Sequence, residues 1–356
     1  MDDYGKIFIE KNLCPAPFMN LIINRYGECY SCVKNYMKKR IIVGNILEKP
    51  LKEIWNSREI KKLRRTVYKN NYQEICKPNC PSLIALKKKK IGMGKYADFD
   101  IFRQVRENKT HLDSPYRCVI IATNPCCNLA CIMCRTKRQI KLNELEKKIN
   151  RATLDEIREN ISNLRLLRFS GDGEVFVNEL AIEFFQMLEH KDTSYLTLGI
   201  TTNGQLLDKS KWEMLKRLKV ARLELGVSID AVTKQTYEKI RRHGNWERLN
   251  KHMDMLAKER SKGNLHHLAI NFVVMRCNIE EIEQFIRLGE KWNCDAINFS
   301  RVFKKKIAAA QDFFNPPDRY YLDKLSDILQ NPIFDKSHVW AGQILPFRDA
   351  KRDRGE

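Results

Sequence analysis

The sequence predicts an α/β fold, either a partial (βα)6 barrel or an open doubly wound sheet, preceded by a small cysteine-bearing unit. Three observations lead there. Residues 116–303 alternate short apolar strands with amphipathic helical stretches. The strands are apolar at consecutive positions, as strands covered on both faces are. Six such repeats are too few for a closed eight-stranded barrel, and at 356 residues the chain has room for one large domain and a smaller one.

The strands are expected at 118–123, 164–170, 195–202, 221–229, 268–275 and 296–302, with helices near 143–163, 177–190, 209–218, 233–262 and 279–292. Right-handed crossovers between parallel strands put the reactive groups at the carboxyl ends of the strands. Beyond the barrel, 304–356 reads as a C-terminal extension with one helix at 318–330. Residues 1–85 form the small unit. In FMNLIINRYGECYSC two β-prone arms flank Tyr26-Gly27, a hairpin. A further short strand turns at Gly44-Asn45. Leu51, Ile54 and Trp55, then Ile60, Leu63 and Val67, recur at helical spacing and predict two short helices with a break near Asn56-Ser57. Between the two units, 86–115 is basic and punctuated by Gly92, Gly94 and Pro115, and is expected as an irregular linker.

Composition narrows the chemistry. No stretch approaches the ~18 apolar residues of a membrane helix, and the start, MDDYGKIFIEKN, has no apolar h-region. Both predict a soluble cytoplasmic protein with reduced thiols. Twelve cysteines in such a chain, clustered at short spacings, point to metal or cluster ligation and not to disulfides. The 65 basic residues outnumber 44 acidic ones, a net charge of +21. Lysines are spread over helical faces, and Lys87 to Lys90 is the longest run, so most of this charge reads as solvated surface; an anionic partner is the alternative.

Directly after the first barrel strand comes CNLACIMC, which places Cys127, Cys131 and Cys134 with gaps of three and two residues. So compact a loop can wrap one face of a [4Fe-4S] cube while leaving one iron without a protein ligand. An open position distinguishes a catalytic metal site from a structural one. Here it could chelate the amino and carboxylate groups of a methionine-like ligand. The alternative from the same residues is a zinc loop completed by Cys126 or Cys118. Cys277 and Cys294 lack short-range partners and read as small buried residues.

With this spacing at the end of the first strand, the sequence resembles the radical S-adenosylmethionine superfamily over roughly residues 116–303. The resemblance implies a partial (βα)6 TIM-like barrel, a catalytic [4Fe-4S] cluster on Cys127, Cys131 and Cys134, and S-adenosylmethionine as cofactor. Met133 stands where the family usually carries an aromatic residue against the adenine. SGDGEV is similar to the family's Gly-Gly-Glu turn, so Asp172, Gly173 and Glu174 would hold the cofactor's amino group; Asp172 replaces a glycine and Val175 a common proline. TTNG resembles the ribose-contacting turn, which implies Thr202 and Asn203. SIDAVTKQTYEKIRRHG is similar to the Ser-x-Asp segment of peptide-modifying members: Ser228 and Asp230 would face the cofactor, and Arg241 or, as the chosen residue, Arg242 would meet its carboxylate.

In the first unit, Cys14, Gly27 and Cys32, then Cys76 and Cys80, resemble the SPASM family of auxiliary cluster domains, as does GNILEKPLKEIWNSREIKKLRR downstream. This implies a small α+β domain holding a second [4Fe-4S] cluster on Cys14, Cys32, Cys76 and Cys80, with Cys29 as an alternative ligand. In most relatives the domain follows the barrel; here it precedes it. The resemblance implies reductive cleavage of S-adenosylmethionine to a 5′-deoxyadenosyl radical that abstracts hydrogen from a peptide or protein side chain. The alternatives are the same chemistry on an anionic small molecule (a sugar, nucleotide or glycan-lipid intermediate), or a zinc-ribbon protein that binds nucleic acid through its basic surface. The electron donor implied is a flavodoxin or ferredoxin.

Overall fold

The computed structural model describes residues 4–33, 36–78, 80–90, 92–171, 173–302 and 307–349. Two short helices, α1 (Lys6–Glu10) and α2 (Ala16–Met19), lead into the expected hairpin of β1 (Asn20–Asn24) and β2 (Glu28–Tyr30). Gly27 turns the hairpin at φ +74°, and a side chain there would lie 2.7 Å from Asn45 Oδ1. β3 (Gly44–Asn45) pairs with β2. The two expected helices follow as α3 (Leu51–Ile54) and α4 (Arg58–Tyr68), and they part at Ser57, whose hydroxyl accepts from Ile60 N.

The linker expected at 86–115 needs correction. After α5 (Pro81–Lys87), a further helix, α6 (Phe99–Arg106), is capped by Asp98, which accepts from Ile101 N, and it buries Ile101 and Val105. Its apolar period is short and lies between glycines and a proline that suggest loop. Arg64 is the keystone of this region: fully buried, it donates to Pro17 O, Trp55 O, Thr110 O and Asn56 Oδ1, with its guanidinium 4.4 Å from the Trp55 ring.

The βα series then runs β4 (Cys118–Ala122), α7 (Glu144–Glu159), β5 (Leu166–Phe169), α8 (Glu179–Leu188), β6 (Thr197–Thr202), α9 (Lys209–Arg217) and β7 (Arg222–Ser228). It continues with α10 (Lys234–Ile240), α11 (Trp246–Ser261), β8 (His267–Val273), α12 (Ile282–Lys291) and β9 (Ala296–Ser300), and ends with α13 (Arg319–Leu329) and β10 (Val339–Trp340). The single helix expected at 233–262 is two. Between α10 and α11, His243 has φ +71°, and a Cβ on Gly244 would lie 2.8 Å from Arg241 O. Asn245 starts the second helix by accepting from Arg248 N.

The strands form one sheet in the order β10-β9-β8-β7-β6-β5-β4-β1-β2-β3. From β4 to β10 each strand pairs in parallel with the next in sequence. A doubly wound sheet reverses its strand order at a switch point; this one does not, so the winding is that of a partial barrel. β1 pairs in parallel with β4, Asn20 opposite Cys118 through Asn24 opposite Ala122, so the first unit is built onto the barrel's first strand. The C-terminal extension reaches back to that unit through Gln343 Nε2, which donates to Tyr36 OH at 3.2 Å.

The two faces of the sheet differ. Outward residues such as Leu167, Leu198, Leu225, Ile270 and Ile297 are buried beneath the helices. From β6 to β9 the inward face is mostly polar or small, so the expectation of strands apolar on both faces does not hold there, and the layered aliphatic filling of a full barrel is missing. Arg168 on β5 lies across Gly199 on β6, where a Cβ would come 3.0 Å from the guanidinium carbon, and reaches Glu224 on β7 at 2.7 Å. Farther along, Asn298 Nδ2 donates to Asn271 Oδ1 at 3.0 Å. Arg168, Glu224, Asn271 and Asn298 line a cavity of about 500 Å3, with the exposed Trp340 ring at its edge. Among the described residues, no helix is long and apolar enough to cross a membrane.

Arg64→Met keeps the aliphatic length but leaves the carbonyls of Pro17, Trp55 and Thr110 without their donor. Urea titration should show the unfolding free energy reduced by roughly 3 kcal/mol; an unchanged midpoint would show that this arginine does not hold the first unit together.

Candidate iron-sulfur and cofactor site

The loop after β4 is held from outside. Cys127 N donates to Gln139 O, Ala130 N to Arg242 O and Ile132 N to Ile240 O, so the loop sits between the returning chain at Gln139 and the end of α10. Cys134 N closes a turn onto Cys131 O. Cys127 Sγ accepts from Leu129 N at 3.4 Å and lies 3.6 Å from Asn203 Nδ2. Burial pushes the Cys131 thiol up to about 11 against the pull of Arg241, and Asp230, Cys127 and Cys134 add to the rise. Cys118 stands at the far end of β4, a strand length of ~15 Å from the loop, and Cys126 is buried with its carbonyl taken by Glu174 N.

Across from this loop, the turn after β5 makes backbone contact with it. A Cβ on Gly173 would lie 2.4 Å from Asn124 O and 2.5 Å from Cys126 O, so glycine is required for this approach. Glu174 N donates to Cys126 O at 2.7 Å, and Asn124 Nδ2 donates to Glu174 O at 2.8 Å. The buried Glu174 carboxylate accepts from Thr202 Oγ1 (2.8 Å), Asn203 N (2.6 Å) and Phe176 N (3.3 Å). Burial raises its pKa, and those donors oppose the rise. It therefore ties the β5 turn to the β6 turn, where Asn203 Nδ2 also meets Asn128 Oδ1 at 2.9 Å. Asp172 lies outside the described residues.

The other expected cofactor residues separate into two groups. Ser228 ends β7 opposite Asn271, and Met133 packs on a small apolar cluster of Ile240, Met275, Val302 and Ala308. Asp230, fully buried at φ +68°, pairs with Arg241 at 2.5 Å, and Arg241 Nη1 lies 3.8 Å from Cys131 Sγ. Arg242, the expected carboxylate partner, donates to Ala130 O, Arg135 O and Thr136 O and so clamps the cysteine loop. The sequence carried a signal for which of the two arginines is buried: Tyr237, Ile240 and Arg241 share one helical face, and the first two are fully buried.

In the first unit, Cys14, Cys32, Cys76 and Cys80 converge. Burial raises Cys14 first, with Cys32, Cys80 and Cys76 adding to it; burial with Cys80 and Cys76 pushes Cys32 up to about 12, and burial with Cys80 pushes Cys76 up to about 11. Tyr72 organises two of them, its OH accepting from Cys14 N and its carbonyl from Cys76 N. Cys29 is elsewhere: fully buried in the core, its thiol directed at Gly27 O at 3.7 Å and raised to about 12 by burial, then by Glu156 and Glu28. Among the described residues no three His, Cys, Asp or Glu side chains stand close enough together to hold a single metal ion; the more widely spaced thiols, four in the first unit and three beside the loop mouth, have the chemistry for a closed and an open iron-sulfur site respectively.

A sequence model of the radical SAM superfamily matches residues 121–289. The chain belongs to the radical S-adenosylmethionine superfamily. A model of the SPASM iron-sulfur cluster-binding domain matches residues 14–81, so this radical SAM enzyme carries its auxiliary domain ahead of the barrel. Membership brings a [4Fe-4S] cluster and S-adenosylmethionine as cofactors, and the SPASM domain points to an additional cluster. These matches set aside the zinc-ribbon alternative. The chain is similar to a probable GTP 3',8-cyclase of Methanococcus maripaludis, 29% identical over 168 residues, covering 46% of this chain and 51% of the relative. It is also similar to one of Saccharolobus islandicus, 26% identical over 173 residues, covering 48% and 52%. The chain thus spans about half the length of the curated relatives it matches. Among solved structures, Streptococcus suis SuiB bound to its precursor peptide SuiA gives a TM-score of 0.47 at 14% identity over 90% of this chain and 70% of that chain. SuiB bound to S-adenosylmethionine gives 0.46 at 17% identity over 81% and 62%.

Two outcomes are expected. Cys76→Ala should lose the iron and sulfide of one cluster, while Cys29→Ala keeps them, as read by iron and sulfide analysis. Loading should also depend on pH: Cys32, Cys76 and Cys131, pushed up to about 12, 11 and 11, hold protons near neutrality in the metal-free chain and must release them on ligation. Iron uptake should therefore weaken as pH falls from about 8.5 to about 6.5, and a flat profile would contradict this.

Proposed function

We propose that this radical SAM enzyme abstracts hydrogen from a peptide or protein side chain held against the polar inner face of its partial barrel. The observation that carries the reading is the convergence of Cys127, Cys131 and Cys134 at the carboxyl end of the strands, with a polar cavity along the same sheet. When bound at those three thiolates, the cluster and S-adenosylmethionine supply a low-potential electron and a 5′-deoxyadenosyl radical.

The chain's own residues do the rest. Gln139, Ile240 and Arg242 fix the cysteine loop by its backbone, so three thiols are presented to one side. The Gly173-Glu174 turn and Asn203 border that loop, which supports a role in holding the cofactor's polar end. Arg168, Glu224, Asn271 and Asn298 offer charge and hydrogen bonds to a polar substrate group. Residues 14–81 hold the auxiliary cluster on Cys14, Cys32, Cys76 and Cys80. The excess of positive charge suits an acidic electron carrier such as a flavodoxin or ferredoxin.

A nucleotide or sugar is the second reading. The exposed Trp340 ring beside Asn298 favours it, since a planar or ring-shaped substrate can stack there, and the curated relatives are described as GTP 3',8-cyclases.

Anaerobic protein with dithionite and S-adenosylmethionine should form 5′-deoxyadenosine, and the Cys127/Cys131/Cys134 triple alanine variant should form none. Deuterium carried into 5′-deoxyadenosine from a deuterated peptide pool, and not from deuterated GTP or nucleotide sugars, supports the first reading. The reverse pattern supports the second, and undiminished product from the triple variant would end both.

A further inference from the structure

Arg241 joins a buried carboxylate to a thiol of the triplet. The residue is 6% exposed, on the buried face at the end of α10. Nε donates to Ile229 O at 3.1 Å and Nη2 to Asp230 Oδ2 at 2.5 Å, while Nη1 lies 3.8 Å from Cys131 Sγ. Asp230 is fixed in turn: Oδ1 accepts from Val273 N at 2.7 Å, and its carbonyl accepts from Asn278 Nδ2 at 2.9 Å. The guanidinium plane is thus locked by a carboxylate on one edge and directs its other edge at a thiol of the triplet.

We infer that Arg241 is a positioning residue that sets the reduction potential of the cluster on Cys127, Cys131 and Cys134, acting through Cys131 Sγ. The inference rests on the ligand set proposed above. A donor to a ligating sulfur withdraws electron density from it, and hydrogen bonds and charge near the sulfurs are what tune such clusters. A buried cation at that distance favours the reduced form, and Asp230 offsets part of its charge. The step concerned is the passage of one electron from dithionite to the cluster, from the 2+ to the 1+ state, with no bond made and no proton moved.

The two partners should therefore act with opposite signs, which a purely structural pair would not do. Redox titration of the holoenzyme without S-adenosylmethionine, followed by electron paramagnetic resonance, reads this; the catalytic signal is the one that shifts when the cofactor is added. In Arg241→Gln the reduced-to-oxidised ratio at a fixed solution potential should fall about tenfold, a shift of about 59 mV for one electron. Asp230→Asn should move it the other way. Arg241→Lys, which keeps the charge without the planar fork, should fall between wild type and Arg241→Gln and serves if the glutamine variant does not fold. Wild-type potentials in these variants with the cluster intact, or shifts of the same sign from both partners, would overturn the inference. A cofactor-sensitive signal that persists in the Cys127/Cys131/Cys134 triple alanine variant would instead remove the ligand set, and the inference with it.

Discussion

The site depends on backbone hydrogen bonds made to a loop that has almost no regular structure of its own. Residues 127–134 take their shape from Gln139 on one side and from Ile240 and Arg242 at the end of α10 on the other. The β5 turn then closes the remaining side, and Gly173 is the position at which that closure is sterically allowed. Main-chain contacts of this kind do not change with side-chain rotamers, so three thiols can be aimed together before any metal arrives. Such a backbone-held loop suits the ligation of a cluster and a second ligand proposed for it.

The inner face of the sheet shows a complementary economy. A full barrel fills its interior with branched aliphatics, whereas this one keeps Gly199 and Gly226 on neighbouring strands and lets Arg168 span the gap to Glu224. The ion pair is only partly buried, so solvent screens it and its net contribution to stability is small.

Much of this was legible in the residues, for identifiable reasons. The six strands and most of their helices could be read because outward positions repeat Leu, Ile, Val and Phe, and the cysteine triplet could be read because its spacing is local. The break inside 233–262 escaped notice because one glycine and a positive φ at His243 interrupt an otherwise continuous period. α6 escaped because eight residues carry a weak periodic signal between turn formers. That Arg241 and not Arg242 faces Asp230 and Cys131 turned on which residue shares a face with Tyr237 and Ile240, a distinction of one position. That Cys29 stands apart from the other four thiols is a tertiary fact: β2 points it into the core, and its spacing from Cys32 gives no hint of that. Nor could spacing show that β1 lies beside β4.

That last pairing changes how the two halves relate. Because five residues of β1 run alongside five of β4 in parallel register, the smaller unit supplies the hydrogen-bonding neighbour that the first barrel strand would otherwise lack. A chain cut between them would leave β4 with an open row of amide and carbonyl groups, the kind of surface that recruits foreign strands. The small unit is thus also a cover for the barrel's rim, and placing it first means that, during synthesis, the cover emerges from the ribosome before the strand it protects.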